Sequence, residues 1–509
     1  MEKLCLDDDL APLVVIGAGP HALSLLCRLI EDEPDLFTEA ERTQMTVKAG
    51  TGAKGRARPF AAVRKHLSRR VDNPLAGVRV LDAHGGWLTQ WRLNFAALEI
   101  AHLRSHADLH PCPYDWQSLR VFAEKRPDEL WHMQYLERDE AHAADWRGPF
   151  KLPDARLFLD FCDALVERYG LRDAVETAHV ASVGVVPPAA DGGACTFVVR
   201  LADGREIPAR RVVCAAGPGH WLAGMRTNLP WWADDLLKAL PAACADRVLH
   251  SSRLLPALAG EGGAAAKAAL RGLRVLLIGG GQTAGHLALL ALAHGARRVV
   301  VAARRRVRRK PFDIDLELMG DRRGKLLRAY AAQPPRDRLE HNRRVRGGGS
   351  MSPEIFAELT AHADGGRFEL LEEVSVEDAE WVAAGDGGDG GGGGGGDGGG
   401  DDGGGGGGCV HVTFDDRSVG DFDRVWLATG GELDVSREPL LGGVLAQRPI
   451  EVVGGLPVLT DELAWDDATP LYVLGGFAQL QLGPDALNLA GARAGTVRVA
   501  RALRPQLRS

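Results

Sequence analysis

Two glycine-rich turns are the residues whose types and spacing point most directly to chemistry. The first is Gly17-Ala18-Gly19-Pro20-His21-Ala22, the second is Gly279-Gly280-Gly281-Gln282-Thr283-Ala284, and both have the pattern GxGxxA. In this pattern the first glycine makes a tight turn, the second lets a pyrophosphate approach the backbone, and the small third residue packs a helix against a strand. The phosphates then lie at the positive N-terminus of the helix. Each turn therefore predicts a dinucleotide-binding site.

The residues around each turn predict the strand and helix that such a site needs. Residues 13–16 are a continuous apolar run before the first turn, and residues 274–278 form a similar run before the second. Such runs are typical of buried parallel strands. Apolar helical segments follow at 23–30 and 285–294. The expected fold class is α/β, with two Rossmann-like domains.

The two turns differ in the residue expected at the ribose. An acid at the end of the second strand usually binds the ribose hydroxyls. No acid follows the strand-like run at 45–48, but the run at 78–82 ends in Asp82. If residues 31–76 are an insertion, Asp82 is the ribose acid; the alternative is a solvated aspartate in a turn. After the second turn, strand 298–303 ends in Arg304 and Arg305, which favours a ribose 2′-phosphate and hence NADPH.

The basic run at 304–310, RRRVRRK, has two other interpretations. Such a run is also typical of a targeting or nucleic-acid-binding patch, and it can be a solvated charged turn. Its position, about 23 residues after Gly281, favours phosphate binding.

Composition excludes several classes of protein. The 509 residues carry a formal net charge of −7, so bulk charge attracts the chain neither to nucleic acid nor to an anionic membrane. No apolar run reaches the length of about 18 residues typical of a membrane helix, and the acidic start does not resemble a signal peptide. The eight cysteines form no Cys-x-x-Cys pair, which argues against a disulfide scaffold, a zinc ribbon and a dithiol reductase. We expect a cytoplasmic protein without a metal site.

Two dinucleotide sites predict two cofactors, FAD at the first turn and NADPH at the second. Apolar runs at 211–217 and 424–430 both end in small residues and glycine, as expected where the chain crosses between domains. The predicted FAD domain is 1–217 and 432–509, with 31–76 as an insertion. The predicted NADPH domain is 218–431. Within it, residues 385–408 consist of 19 glycines and five aspartates, which predicts a disordered loop.

Several segments resemble the flavin-dependent N-hydroxylating monooxygenases, the L-lysine/L-ornithine N-monooxygenase family, and most closely a less characterised FAD/NAD(P)-binding branch. The segments that carry this resemblance are 13–23, His102-Leu103-Arg104-Ser105, 151–171, 248–252, 278–285, 427–430 and 475–487. The resemblance implies that NADPH reduces FAD and that oxygen adds to give a C4a-hydroperoxyflavin. The distal oxygen then passes to a small nucleophile such as an amine. The partners implied are O2 and a small-molecule substrate, and a homo-oligomer is left open.

The resemblance also implies roles for individual residues. Those expected to bind FAD are Gly17, Gly19, Pro20, His21, Asp82, Trp87, Trp91, Arg104, Gly483, Pro484 and Asp485. Those expected to bind NADPH are Gly279, Gly281, Gln282, Thr283, Ala284, Arg304 and Arg305. Arg104 and Ser105 are the candidates for a contact with the flavin or with bound NADP⁺ during catalysis. Trp87 and Trp91 either wall the flavin pocket or are core aromatics.

The C-terminal residues carry a further expectation. Gly483-Pro484-Asp485 is expected to open the final helix, whose N-terminus would point at the flavin. Asp485 is then either part of this arrangement or a simple acid in the first helical turn. Near the second site, Asp313 and Asp315 either line the cleft or balance the arginines beside them, and we favour the second interpretation.

The chain departs from this family in three places, one of which is that the ribose acid, Asp82, lies after an insertion. Ornithine hydroxylases have a lysine before the Leu-Arg-Ser segment, whereas residues 93–103 contain none and Leu98 stands at the expected position. Leu480-Gln481-Leu482-Gly483 replaces a Thr-His-Gly-Leu run. These departures count against ornithine or lysine as the substrate. Two other functions remain open: an NADPH-dependent flavin reductase or oxidase without substrate oxygenation, and a non-enzymatic regulator with the same fold.

Overall fold

A computed structural model of the chain describes residues 10–31, 34, 74–133, 150–188, 194–217, 229–313, 315, 318, 323–383 and 408–507. The predicted insertion at 31–76 and the predicted disordered loop at 385–408 lie almost entirely outside these residues. Within the described part of the chain, no helix is long and apolar enough to cross a membrane.

The strands are short and occur along the whole chain. In chain order they are β1 (Val14–Ile16), β2 (Arg79–Asp82), β3 (Leu130–Met133), β4 (Phe150–Pro153), β5 (Val175–Thr177), β6 (Val180–Val186), β7 (Thr196–Leu201), β8 (Glu206–Ala209), β9 (Val212–Cys214), β10 (Val248–His250), β11 (Arg274–Ile278), β12 (Arg298–Ala303), β13 (Arg308–Arg309), β14 (Ser350–Met351), β15 (Phe368–Glu372), β16 (Val376–Val382), β17 (Cys409–Phe414), β18 (Val419–Phe422), β19 (Arg424–Leu427), β20 (Val452–Val453), β21 (Leu456–Pro457), β22 (Ala464–Asp466) and β23 (Thr469–Val473).

Helices connect many of these strands. They are α1 (Pro20–Ile30), α2 (Thr89–Leu98), α3 (Ser118–Phe122), α4 (Ala155–Arg168), α5 (Trp231–Ala239), α6 (Ser251–Ala259), α7 (Gly263–Ala268), α8 (Gln282–Ala293), α9 (Arg323–Ala331), α10 (Pro335–Arg346), α11 (Pro353–Ala361), α12 (Gly442–Gln447), α13 (Gln479–Leu482) and α14 (Leu489–Leu507). Short 3-10 helices lie at Ala123–Lys125, Pro127–Glu129, Ala242–Cys244 and Gly476–Ala478.

One six-stranded sheet has the order β22-β23-β9-β1-β2-β5. Strand β1 pairs in parallel with β2 and β9, and β23 pairs in parallel with β9, while β22 is antiparallel at the edge. All three residues of β1 are buried, which explains the continuous apolar sequence. This sheet combines strands from both ends of the chain, and its parallel strands bring their carboxyl ends to the same edge.

A second sheet has five strands in the order β10-β19-β11-β12-β15, all parallel. It lies entirely within residues 248–427. The two sheets confirm the predicted α/β class, in which each glycine turn follows a central parallel strand. The cores on the faces of this second sheet are separate from the core of the first.

Candidate functional site

The first glycine turn joins β1 to α1 at the carboxyl edge of the six-stranded sheet. Gly17 has a φ of +99°, and a Cβ atom there would lie 2.9 Å from the carbonyl oxygen of Ala215. Gly19 is the N-cap of α1, and no described atom lies within 4 Å of the position that its Cβ would take. The turn thus requires its first glycine for backbone reasons, and its second glycine faces open space. A pyrophosphate needs this arrangement to reach the backbone.

Asp82 lies beside this turn, although more than 60 residues separate them in sequence. It ends β2, whose Leu81 pairs with Ile16 of β1. Its carboxylate accepts hydrogen bonds from the main-chain nitrogens of Ala18, at 2.9 Å, and His84, at 2.8 Å. The strand that ends in Asp82 is therefore the spatial neighbour of β1, which is the position predicted for the ribose acid.

His21, in the first turn of α1, has a ring nitrogen for which the described residues provide no partner. Its Nε2 atom is buried without a hydrogen bond, and the ring lies beside Gly475, where a Cβ atom would be 3.7 Å from Cε1. Burial lowers the pKa of His21 to about 4, so the ring is neutral at physiological pH. A buried polar atom of this kind usually has a ligand or water partner.

The second glycine turn joins β11 to α8 in the five-stranded sheet. Gly279 has a φ of +139°, and a Cβ atom there would lie 2.4 Å from the carbonyl oxygen of Ala428. Gly281 caps α8, and Thr283 and Ala284 follow in its first turn. The Gln282 side chain is used within the protein, because its Oε1 accepts a hydrogen bond of 2.8 Å from the nitrogen of Ser352.

The basic run after β12 divides into residues with and without protein partners. Arg306 pairs with Glu373 at 3.3 Å, and Lys310 with Asp315 at 2.5 Å. Arg308 donates to the carbonyl of Arg344 at 3.1 Å, and the Arg309 guanidinium lies 4.4 Å from the ring centroid of Phe356. Arg304 and Arg305 are exposed and form no ion pair with the described residues.

The two aspartates that follow this run pair with basic residues. Asp315 binds Lys310, and Asp313 lies 3.8 Å from the guanidinium of Arg346 and accepts a hydrogen bond of 3.4 Å from Asn488. This geometry agrees with the charge-balancing interpretation, although Lys310 and Arg346 are the partners instead of the arginines at 304–306.

Arg104 is bound by the protein at all three of its guanidinium nitrogens. Nε donates to the carbonyl of Pro311 at 3.2 Å, and Nη1 donates to the carbonyl of Ser350 at 2.9 Å. Nη2 donates to the Ser350 Oγ at 2.8 Å and to the carbonyls of Lys310 and Phe312 at 2.7 and 3.1 Å. The side chain expected to reach a cofactor thus connects its own segment to residues 310–312 and 350. Ser105 follows it and is half-buried.

The expectation that Gly483-Pro484-Asp485 opens the final helix is wrong. Helix α14 begins at Leu489, and its first turn contains no acidic residue. Asp485 is instead fully buried, with a carboxylate oxygen 2.5 Å from the Arg323 guanidinium. The segment before α14 turns back on itself, since the Asp485 carbonyl accepts hydrogen bonds from the nitrogens of Asn488 and Gly491. A buried carboxylate needs a compensating cation, and α9 provides it.

Helices α9 and α10 cover the C-terminal segment 479–485, a contact that the sequence did not predict. Tyr330 Oη donates to the carbonyl of Gln479 at 2.7 Å. Asn342 Nδ2 donates to Tyr330 Oη at 2.9 Å and to the same Gln479 carbonyl at 3.0 Å. Arg346 donates to the carbonyl of Pro484 at 3.0 Å. The bonds from these helices to the segment span 137 to 149 positions of sequence, so no local pattern marks the contact.

Of the two tryptophans near Asp82, Trp87 is a core residue and Trp91 is half-buried and packs against the core. The Trp87 indole nitrogen donates to the carbonyl of Leu171 at 2.8 Å. Trp91 packs against Phe95 and Phe158, with ring centroids 5.1 and 5.5 Å apart. This geometry favours the core alternative over a wall of the flavin pocket.

Leu98, which stands where the resemblance expects a lysine, is 7% exposed. It ends α2 and belongs to one apolar cluster with Leu254 and Leu258 of α6. Its role is to pack α2 against the part of the chain that builds the second sheet.

No protein-family model matches this chain, and no curated protein does. Its fold is similar to that of the ornithine hydroxylase PvdA from Pseudomonas aeruginosa, in its reduced form. The two share 16% identity over 98% of this chain and 100% of that one, with a TM-score of 0.59. The fold is also similar to that of the ornithine N-hydroxylase KtzI from Kutzneria sp. 744, solved with reduced FAD, NADP⁺ and L-ornithine. Identity is 15%, the coverage 97% and 99%, and the TM-score 0.60.

A third solved structure with this fold is the cadaverine monooxygenase DfoA from Erwinia amylovora, bound to FAD. It shares 14% identity over 97% of this chain and 95% of that one, with a TM-score of 0.59. The chain therefore has the fold of N-hydroxylating flavoenzymes with two dinucleotide-binding domains. At the level of fold, this confirms the resemblance inferred from the sequence.

Proposed function

We propose that this protein is an FAD- and NADPH-dependent monooxygenase that transfers one oxygen atom of O2 to a small nucleophile such as an amine. The observation that carries the proposal is the open glycine turn at Gly17 and Gly19, with Asp82 hydrogen-bonded to Ala18. A second glycine turn lies in a second parallel sheet, and three enzymes that hydroxylate ornithine or act on cadaverine share the fold over nearly their whole length.

FAD is assigned to the first turn because its residues fit a dinucleotide. The free space over Gly19 and the uncapped N-terminus of α1 suit the pyrophosphate. Asp82 suits the ribose, and the unpartnered Nε2 of His21 provides a further hydrogen-bonding atom inside the site. When bound, the flavin supplies hydride acceptance and oxygen activation, which protein side chains do not provide.

NADPH is assigned to the second turn. Gly279 and Gly281 provide the glycine pattern, and Arg304 and Arg305 provide two exposed guanidinium groups at the end of β12. Guanidinium groups bind phosphate through paired hydrogen bonds. Because the rest of the basic run has partners within the protein, the 2′-phosphate interpretation is preferred to a targeting or nucleic-acid role.

The proposed substrate is an amine whose binding does not require a lysine at position 98. The buried Leu98 packs α2 on α6 and offers no group that could bind an amino-acid carboxylate. Helices α9 and α10 cover the segment 479–485 and so shield it from water. Oxygen transfer benefits from such shielding, because water diverts reactive intermediates.

We propose the domain boundaries 1–217 with 432–509 for FAD and 218–431 for NADPH. Support comes from the sheets, since strands of the first are drawn from both of the outer segments and strands of the second lie within 248–427. We also propose a cytoplasmic location, which agrees with the seven described cysteines being free.

The test is to measure FAD content, NADPH oxidation, hydrogen peroxide and hydroxylated product in parallel, with a panel of diamines and amino acids. A monooxygenase converts NADPH into hydroxylated product with little peroxide. Peroxide in proportion to NADPH for every amine would indicate a reductase or oxidase instead. If the protein takes up no FAD, both enzyme functions are excluded and the non-enzymatic regulator is the function that remains.

A matched pair of variants links this test to the structure. Asp82→Asn should weaken FAD binding about tenfold, because it removes the charge from a hydrogen bond to a ribose hydroxyl. Asp163→Asn changes an exposed aspartate that pairs with Arg92, and FAD affinity should not change.

A further inference from the structure

The two glycine turns differ in what lies against their second glycine. A Cβ atom on Gly19 would have no described atom within 4 Å, whereas a Cβ atom on Gly281 would lie 3.9 Å from the Cα of Gly349. A Cβ atom on Gly349 would be 3.3 Å from the Cα of Gly281 and 3.7 Å from its nitrogen. No group as large as a phosphate fits between two backbones this close. The face that a pyrophosphate needs in the second turn is therefore covered by another segment of the chain.

That segment, residues 347–352, has a backbone suited to movement at one end. Gly347, Gly348 and Gly349 have φ angles of +59°, +83° and +117°. Glycine adopts such angles without steric cost and has alternative conformations of similar energy. The three glycines directly follow α10, so the loop has a flexible entry.

The other end of the loop is held by hydrogen bonds. Arg104 donates to the carbonyl and to the hydroxyl of Ser350, at 2.9 and 2.8 Å, and at the same time to the carbonyls of residues 310–312. The nitrogen of Ser352 donates to Gln282 at the start of α8. Hydrogen bonds from a charged donor are about twice as strong as neutral ones. Residues 350 and 351 also form strand β14, which pairs in parallel with β13, and Met351 is buried. Arg104 is thus the charged side chain among several connections that hold this end of the loop, and the part free to move is 347–349.

We propose that Arg104 is a positioning residue that limits nucleotide affinity, by holding loop 347–352 closed over the second glycine turn. Residues 347–349 leave Gly281 when a dinucleotide binds there, while Ser350 and Met351 stay paired with β13. The measured affinity is reduced in proportion to the fraction of molecules in which the loop is open. This inference rests on the proposed assignment of NADPH to the second turn.

The experiment measures the Kd for NADP⁺ of the FAD-loaded protein by calorimetric titration. Arg104→Met should lower the Kd about five- to tenfold, since it removes the two hydrogen bonds to Ser350 that restrain the end of the loop. The control Arg126→Met changes an arginine that pairs with Asp160 at 2.6 Å and should leave the Kd unchanged. A direct contact between Arg104 and the nucleotide predicts the opposite sign.

Gly349→Ala provides an independent test that leaves the Arg104 contacts in place. Its φ of +117° and its contact with Gly281 make alanine unfavourable in the closed loop, so this variant should also bind NADP⁺ more tightly. Hydrogen exchange provides a readout other than affinity: the amide of Gly349, which donates to the Arg346 carbonyl in the closed loop, should exchange faster when NADP⁺ is bound.

The outcomes separate this inference from the proposed function. If the wild type binds NADP⁺ and both variants bind it equally or more weakly, the inference is wrong and the function stands. If wild type and variants all retain FAD and bind no NADP⁺ or NADPH, both are wrong.

Discussion

The fully buried carboxylate of Asp485 lies 2.5 Å from the guanidinium of Arg323, which is 19% exposed. This ion pair joins α9 to the segment before α14, and the two residues are 162 positions apart in sequence. Buried ion pairs contribute little net stability, but removing one partner leaves the other charge without compensation.

We expect Arg323→Met to destabilise the protein by about 3 kcal/mol, because it leaves a wholly buried carboxylate unpaired. Asp485→Asn should cost less, since Arg323 keeps some contact with water. The double variant should be more stable than the sum of the two effects predicts. Urea unfolding of the four proteins measures this coupling, and additive losses would show that the pair does not interact.

The two glycines of the first turn should respond differently to alanine. Gly17→Ala should reduce the free energy of unfolding by about 2 kcal/mol or more, because of its positive φ and the nearby Ala215 carbonyl. Gly19→Ala should leave stability within about 0.5 kcal/mol and weaken FAD binding at least about tenfold. Thermal unfolding of the apoprotein and FAD titration test the pair. Equal FAD affinity in Gly19→Ala and wild type would argue against a pyrophosphate at this turn.

The preference for NADPH over NADH should depend on Arg304 and Arg305 and not on the next residue, Arg306. Arg304→Gln and Arg305→Gln should each raise the KM for NADPH about tenfold, through loss of a charge-assisted hydrogen bond. The KM for NADH, which has no 2′-phosphate, should not change. Arg306→Gln is the matched control, since Arg306 already pairs with Glu373. Equal effects on both nucleotides would indicate that these arginines do not bind the 2′-phosphate.

Stability should fall in acid because three histidines have lowered pKa values and stay neutral in the folded protein. Burial lowers the pKa of His21 and His286 to about 4 and that of His106 to about 3, from an ordinary value of 6.5. Between pH 6.5 and 4 the unfolded chain therefore binds protons that the folded protein does not. Each histidine lowers the free energy of unfolding by up to about 1.4 kcal/mol per pH unit in this window.

His21→Gln should remove one histidine's share of this dependence and make the profile flatter below pH 6.5. Urea unfolding at pH 7.5, 6.0 and 5.0, in wild type and variant, measures the difference. An unchanged slope in the variant would mean that His21 is protonated in the folded protein.

The sequence by itself determined the two turns and the class of fold. Strand, glycine turn and helix are contiguous in sequence at 13–30 and at 274–293, and the need for a positive φ at Gly17 and Gly279 is local. The position of Asp82 beside the first turn could also be predicted. A strand that ends in an acid is recognisable even after a long insertion, and parallel pairing with β1 brings that acid to the turn.

Only the tertiary structure decided which partners the long side chains bind. Arg104, Asp485 and Leu98 each join distant segments of the chain, and no sequence pattern predicted those partners. The partners of an arginine or of a buried carboxylate depend on how separate elements pack. No local periodicity encodes that packing, because residues such as Arg104 and Ser350 are 246 positions apart in the sequence.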